Sequence, residues 1–214
     1  MEKGKFKFHY FPLNARGAIT RAILSAVKAD WEDKVVSFQE WPTLKNSGLC
    51  EFKQLPVLEH GDKKLTQSMA IELYLARLFG IYGKNVEDEY QIDSLLCTFE
   101  DLFSVVHDIV FPRNEEDKKN VDKFMTQLVQ KYTFYLQQIE KRYIAHGKKN
   151  YFLGDYFSLA DIYLTVMCKS FCKVMKDKCP TKTAAPAIFE LINRIQDNEL
   201  KTFFDKHFVK EGSC

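Results

Sequence analysis

Along the first residues apolar and polar positions alternate: Phe6, Phe8 and Tyr10 fall on one face of the run from Lys5 to Phe11. This period of two predicts a half-buried strand. Pro12-Leu13-Asn14 ends it. Ile19, Ala22, Ile23, Ala26 and Val27 then recur at i, i+3, i+4, i+7 and i+8, the apolar stripe of an amphipathic helix. Lys34 to Phe38, with its paired valines, predicts a second short strand, and Glu40 to Phe52, rich in breakers, a long irregular connection. Leu55 to Glu59 is strand-like, His60-Gly61-Asp62 makes a tight turn, and Lys63 to Thr66 returns as its hairpin partner. A helix over 67–79 follows, with Ile71, Tyr74, Leu75 and Leu78 on one side. The predicted order is βαβ, then ββα.

From there the pattern changes. Ile81 to Glu87, with Gly83 and Asn85, reads as a linker, and long helical candidates then cover 88–110, 115–145, 158–175 and 186–197. The predicted organisation is an α/β domain over 1–82 and an all-helical domain over 83–214. One local signal is sharper than periodicity. Phe157-Ser158-Leu159-Ala160-Asp161-Ile162 has a Ser at the N-cap, an acid three residues on and apolar residues on either side, which predicts a capping box with a hydrophobic staple.

Composition works by exclusion. With 46% hydrophobic and 28% charged residues among 214, the chain is an ordinary globular protein able to build its own core. A formal net charge of +2, with basic residues scattered, excludes nucleic acid or an anionic membrane surface as the main partner. No apolar run approaches the roughly 18 residues of a membrane span, and the charged start is unlike a signal peptide, so a cytoplasmic protein is expected. Six cysteines (Cys50, Cys97, Cys168, Cys172, Cys179 and Cys214) are expected to be free thiols. No Cys-x-x-Cys or His-x-x-x-His offers a metal site, and none is expected.

Three places hold candidate chemistry. Tyr10 closes the first strand, where its hydroxyl would stand at the carboxyl end of a sheet, a common ligand position in α/β folds. A phenol, with an ordinary pKa of about 10, is a poor base at neutral pH but a good hydrogen-bond donor to an anion such as a thiolate. The plainer reading of Tyr10 alone is a core aromatic. Thr66-Gln67-Ser68 opens a helix, whose free N–H groups and dipole suit a carboxylate, or else it simply caps that helix. Gln54-Leu55-Pro56 puts a proline at the start of a strand, where a cis bond would leave neighbouring backbone groups free for a peptide ligand. No hydrolase triad and no glycine-rich phosphate loop stands out.

In order and spacing these elements resemble the cytosolic glutathione transferases over nearly the whole chain. Tyr10-Phe11 with Arg16-Gly17 and Arg21 is similar to the first strand, loop and helix of the tyrosine-type classes. Trp41-Pro42-x-x-Lys45, Gln54 to Glu59 and Thr66-Gln67-Ser68 resemble the glutathione half-site, with the family's cis-proline at Pro56, and Gly154 to Asp161 resembles the second-domain signature. The resemblance implies a thioredoxin-like first domain that binds glutathione, an all-helical second domain for a hydrophobic electrophile, a homodimer, and no cofactor beyond the co-substrate. It assigns Tyr10 to the glutathione sulfur. Arg16, Trp41 and Lys45 fall to the glycine end, the Leu55 backbone to the cysteinyl part, and Gln67 and Ser68 to the γ-glutamyl end, with Gln54 and Pro56 also among the glutathione-binding residues. Asp101 would reach the glutathione of the neighbouring subunit.

Leu13, Val105, Val106, Asp108 and Phe208 are the expected electrophile pocket, and peroxidase activity is an expected side reaction. Trp-Pro-x-x-Lys is most similar to the sigma class, whereas Leu78 to Lys84 is similar to the pi class. Some sigma members isomerise prostaglandin H, but Asp108 stands where those carry a stacking tryptophan. Pro12 to Ala15 departs from the usual arginine-glycine pair. The rival reading is the same fold as a non-catalytic ligand binder or structural subunit; retention of the half-site residues favours the enzyme.

Overall fold

A computed structural model describes residues 4–208. Four strands, β1 (Phe6–Tyr10), β2 (Trp31–Val35), β3 (Val57–His60) and β4 (Lys63–Thr66), form one sheet in the order β2-β1-β3-β4. β1 pairs parallel with β2 and antiparallel with β3, and β3 pairs antiparallel with β4. Between and after these strands come α1 (Ala18–Ala26), α2 (Trp41–Lys45) and α3 (Ser68–Phe79). α1 packs against α3. Phe6, Phe8, Ile23, Leu24, Leu58, Ile71 and Leu75 are fully buried, so the apolar faces read from the sequence make the core. This is the thioredoxin-like arrangement.

Two local expectations are corrected. The second strand runs over Trp31–Val35 rather than from Lys34 to Phe38. Its partner fixes it: Phe6 pairs with Trp31 and Tyr10 with Val35, and the Val36 N–H donates to the Tyr10 carbonyl at 2.8 Å before the chain turns away. The connection after it is not wholly irregular, because α2 forms there with Pro42 in its first turn, where a proline's missing N–H costs nothing.

The chain divides into two compact units, one running up to Tyr82 and one from Gly83 to Asn198. The second is all helical: α4 (Val86–Val110), α5 (Glu115–Lys119), α6 (Val121–Ala145), α7 (Leu159–Met175), α8 (Thr181–Ala184) and α9 (Pro186–Asp197). α4 packs on α6 and α7, and α9 on α6, α7 and α8. The helix predicted over 115–145 is two, parted at Asn120. Asn120 ends the first turns of α5, its N–H donating to the carbonyls of Glu116 and Asp117, with a backbone outside the helical region. The last helix, α10 (Lys201–His207), lies in the stretch assigned from sequence to the helical domain, yet the segment from Glu199 groups with the first unit. α10 packs on α1 and buries Phe203 and Phe204.

The predicted capping box is present at the start of α7. Asp161 Oδ2 accepts from the Ser158 N–H and the Ser158 hydroxyl, both at 2.9 Å, while Oδ1 accepts from the Phe152 N–H at 2.8 Å. Asp161 and Ser158 are fully buried, so the box anchors both α7 and the loop before it. The expectation of free thiols fails at one pair: Cys172 and Cys179 are joined as a disulfide, with Cα atoms 5.0 Å apart, inside the usual range of about 4.4–6.8 Å. The end of α7 and the turn after it bring together two cysteines that the sequence leaves seven residues apart. Cys50, Cys97 and Cys168 are free, and Cys214 lies outside the described residues. No described helix is long and apolar enough to cross a membrane.

Candidate functional site

The ladder registers place the site. His9 pairs with Val57 and Val57 with Thr66, so the next row beyond these pairs holds Tyr10, Pro56 and Gln67. Three sequence-predicted residues, far apart in the chain, therefore stand side by side across one end of the strands. The Leu55–Pro56 bond is cis. Gln67 has φ 69° and ψ 115°, a backbone conformation unusual for a residue with a side chain, and strain of this kind clusters at binding sites. Its side chain makes no cap hydrogen bond to α3, so the first N–H groups of that helix, from Ser68 onward, keep their affinity for a carboxylate.

Tyr10 is 5% exposed. Its ring lies against Gly17, where an added Cβ would sit 2.8 Å from the ring Cγ, so only glycine admits the phenol in this position. The Tyr10 hydroxyl oxygen accepts from the Arg16 N–H at 3.1 Å. Burial raises the phenol pKa above its ordinary 10, against the opposing effect of the Arg16 N–H and the charges of Arg21 and Arg16. At neutral pH the phenol is therefore protonated. With its lone pair engaged by Arg16, the O–H is directed to donate to an anion.

Arg21 has no role that the sequence alone reveals. It is 2% exposed, its Nε donating to Asp33 Oδ2 at 3.0 Å, Nη1 to the Leu13 carbonyl at 2.6 Å and Nη2 to the Phe11 carbonyl at 3.1 Å. The guanidinium lies 5.6 Å from the centroid of the Tyr10 ring. One buried cation thus ties α1, β2 and the loop after Tyr10 into one frame. The signal in the sequence is a single charge inside the otherwise uncharged run from Ala18 to Leu24.

Phe11 extends the site toward α2: its ring meets Trp41 edge-on at 5.5 Å and stacks on Phe38 at 5.0 Å. Lys45 Nζ stands 5.9 Å from the Trp41 ring, at the exposed end of α2. Gln54 is exposed, Leu55 half-buried and Pro56 buried. Leu13, whose carbonyl Arg21 holds, and Phe208, whose ring lies 4.7 Å from that of Phe204, are half-buried in the first unit.

The remaining candidates sit in the second unit, on α4. Asp101 is exposed and accepts from the Tyr135 hydroxyl at 3.2 Å, with Lys131 Nζ 3.9 Å away. Val105 is half-buried and Val106 buried. Asp108 Oδ1 pairs with Arg113 at 2.9 Å, which satisfies its charge locally. Among the described residues no group of three His, Cys, Asp or Glu side chains is placed to hold a metal ion.

Comparison with known proteins shows the family. The family model "Glutathione S-transferase, N-terminal domain" matches residues 6–77 and "Glutathione S-transferase, C-terminal domain" matches 100–207. "Probable glutathione S-transferase 6" of Caenorhabditis elegans is 31% identical over 165 residues, covering 75% of this chain and 77% of the relative. "Glutathione S-transferase A" of Cavia porcellus is 34% identical over 163 residues, 76% of this chain and 73% of the relative. Among solved structures, a monomeric glutathione S-transferase of Necator americanus superposes with a TM-score of 0.77 at 28% identity, over 98% of this chain and 100% of that one. With both family domains in sequence and such identity over three quarters of its length, this chain belongs to the glutathione S-transferase family of enzymes.

Proposed function

We propose that this enzyme joins the sulfur of glutathione to hydrophobic electrophiles, and that Tyr10 stabilises the reacting thiolate. The observation that carries the reading is the Tyr10 hydroxyl: buried, kept protonated, and already accepting from the Arg16 N–H, so that its own proton is free for the sulfur. A thiolate that accepts this bond is stabilised relative to the thiol, so glutathione ionises at a lower pH. The thiolate then forms the C–S bond, while the electrophile's leaving group departs with the bonding pair, or an addition product takes a proton from water.

Anchoring divides along the peptide. Lys45, Trp41 and Arg16 take the glycine end, by charge and by an aromatic wall. The Leu55 backbone, flanked by Gln54 and Pro56, pairs with the cysteinyl segment, and Gln67 with Ser68 and the α3 N-terminus takes the γ-glutamyl carboxylate. Asp101 is assigned to the glutathione of a second copy in a homodimer. The first domain, 1–82, thus binds glutathione, and the helical domain, 83–214, serves the electrophile, with Val105 and Val106 its apolar contributors. A hydroperoxide would meet the same thiolate, giving peroxidase activity on the side. Trp41-Pro42 and Lys45, together on α2, favour the sigma class.

The test is turnover of glutathione with an aromatic halide, beside retention on immobilised glutathione. Tyr10→Phe is expected to lower kcat by about tenfold to a thousandfold while still binding the resin, since one hydrogen bond to the anion is removed. Undiminished kcat in that variant would refute the role of Tyr10, and binding without turnover in the wild type would leave a ligand carrier.

A further inference from the structure

The second unit holds sulfur chemistry of its own. The disulfide between Cys172, in the last turns of α7, and Cys179 spans the short turn Lys176–Lys178. Thr181 Oγ1 lies 3.1 Å from Cys172 Sγ and 3.2 Å from Cys179 Sγ, and the Tyr132 hydroxyl is 2.9 Å from Thr181 Oγ1. Cys172, Thr181 and Tyr132 are buried, whereas Cys179 remains partly exposed. Exposed Lys173, Lys176, Lys178 and Lys182 surround it in sequence, and Asp177 is the single acid from Cys172 to Lys182.

From this cluster we infer that Cys179 is a thiol–disulfide exchange site, which takes up a small anionic thiol of the glutathione type as a mixed disulfide. The incoming thiolate attacks the Sγ of Cys179, the more exposed residue of the pair. A new S–S bond forms there as the Cys172–Cys179 bond breaks, and the electron pair leaves on Cys172 Sγ. The Thr181 hydroxyl, 3.1 Å away, is placed to donate to that departing thiolate, which then takes a proton from water. A second thiolate attacks the small-molecule sulfur of the adduct, releasing Cys179. In sum, two thiols are oxidised to one small disulfide, the protein disulfide is reduced to two thiols, and the two protons lost by the small thiols are regained by Cys172 and Cys179. A small-molecule disulfide runs the sequence backwards.

Access and charge choose the sulfur. Exchange rates depend on which sulfur the attacker can reach and on the leaving thiolate's stability. The lysines raise the local concentration of an anionic thiol. Cys168, one turn before Cys172, is fully buried and its thiol is pushed up to about 12 by that burial, so it stays protonated and does not compete.

The test uses the whole oxidised chain, titrated with reduced glutathione, quenched with acid and an alkylating agent, and mapped by peptide mass spectrometry. The expected result at low glutathione is a single glutathionyl adduct on the peptide carrying Cys179, exceeding that on Cys172 by about tenfold or more, replaced at high glutathione by two alkylated thiols. Cys172→Ser treated with oxidised glutathione should accumulate the adduct on Cys179, with no neighbouring thiol to resolve it. An adduct on Cys172 or on Cys97 alone, or two alkylatable thiols at 172 and 179 in protein never exposed to reductant, would overturn the inference. So would a disulfide that withstands glutathione throughout. The same adduct is expected in Tyr10→Phe, which keeps this outcome separate from the conjugation reaction.

Discussion

Tyr10 owes its position to residues that bring no reactive group. Gly17 leaves room for its ring, and Arg21 holds the loop that follows it through the carbonyls of Phe11 and Leu13. The pairing of Gly17 with Tyr10 was visible in the sequence only as part of a family pattern, because a glycine's close contact depends on where the chain returns. His207 belongs to the same neighbourhood. Burial, with the charges of Arg21 and Lys206, pushes its imidazole down from 6.5 to about 4, against the pull of Asp33. Its folded pKa lies below the unfolded one, so on acidification the unfolded chain takes up a proton that the folded chain refuses. Stability contributed by neutral His207 is thus complete above about pH 6.5 and lost as pH falls toward about 4. The urea midpoint of the wild type should drop across that window more steeply than that of His207→Gln; parallel profiles would contradict the assignment.

Elements were legible where their causes are local. The α7 cap could be read from six consecutive residues, because Ser158 and Asp161 satisfy each other's backbone groups without help from elsewhere. β2 could not be placed to the residue, since its ends are set by the register with β1, and the break at Asn120 separates the wholly charged α5 from the amphipathic α6 with no proline or glycine to mark it. The cap also carries a quantitative expectation. Ser158→Ala removes one capping hydroxyl and should cost about 1 kcal/mol. Asp161→Ala removes the acceptor of three buried donors, Phe152 N–H, Ser158 N–H and Ser158 Oγ, and should cost about 2–4 kcal/mol. Equal losses for the two variants in urea unfolding would mean that the acid does no more than the hydroxyl.

For the molecule as a whole, the change from mixed to helical periodicity near residue 82 anticipates the two units, but the grouping of α10 with the first unit depends on packing that no local pattern encodes. The Cys172–Cys179 pair is illegible for a similar reason, since a separation of seven residues carries no signal of its own and only the turn after α7 brings the sulfurs together. Tyr10, Pro56 and Gln67 each stand out in the sequence, and the strand registers explain why they lie in one row. The role given to Asp101 requires a second copy, so light scattering should find two chains per particle; a monomer at micromolar concentration would remove that role. The central claim is that the protonated Tyr10 phenol stabilises a thiolate, and it is tested most directly by titrating the thiolate ultraviolet absorbance of bound glutathione against pH. The account predicts a bound thiol pKa at least about one unit below that of free glutathione in the wild type, returning toward the free value in Tyr10→Phe. Identical titrations in the two proteins would contradict it.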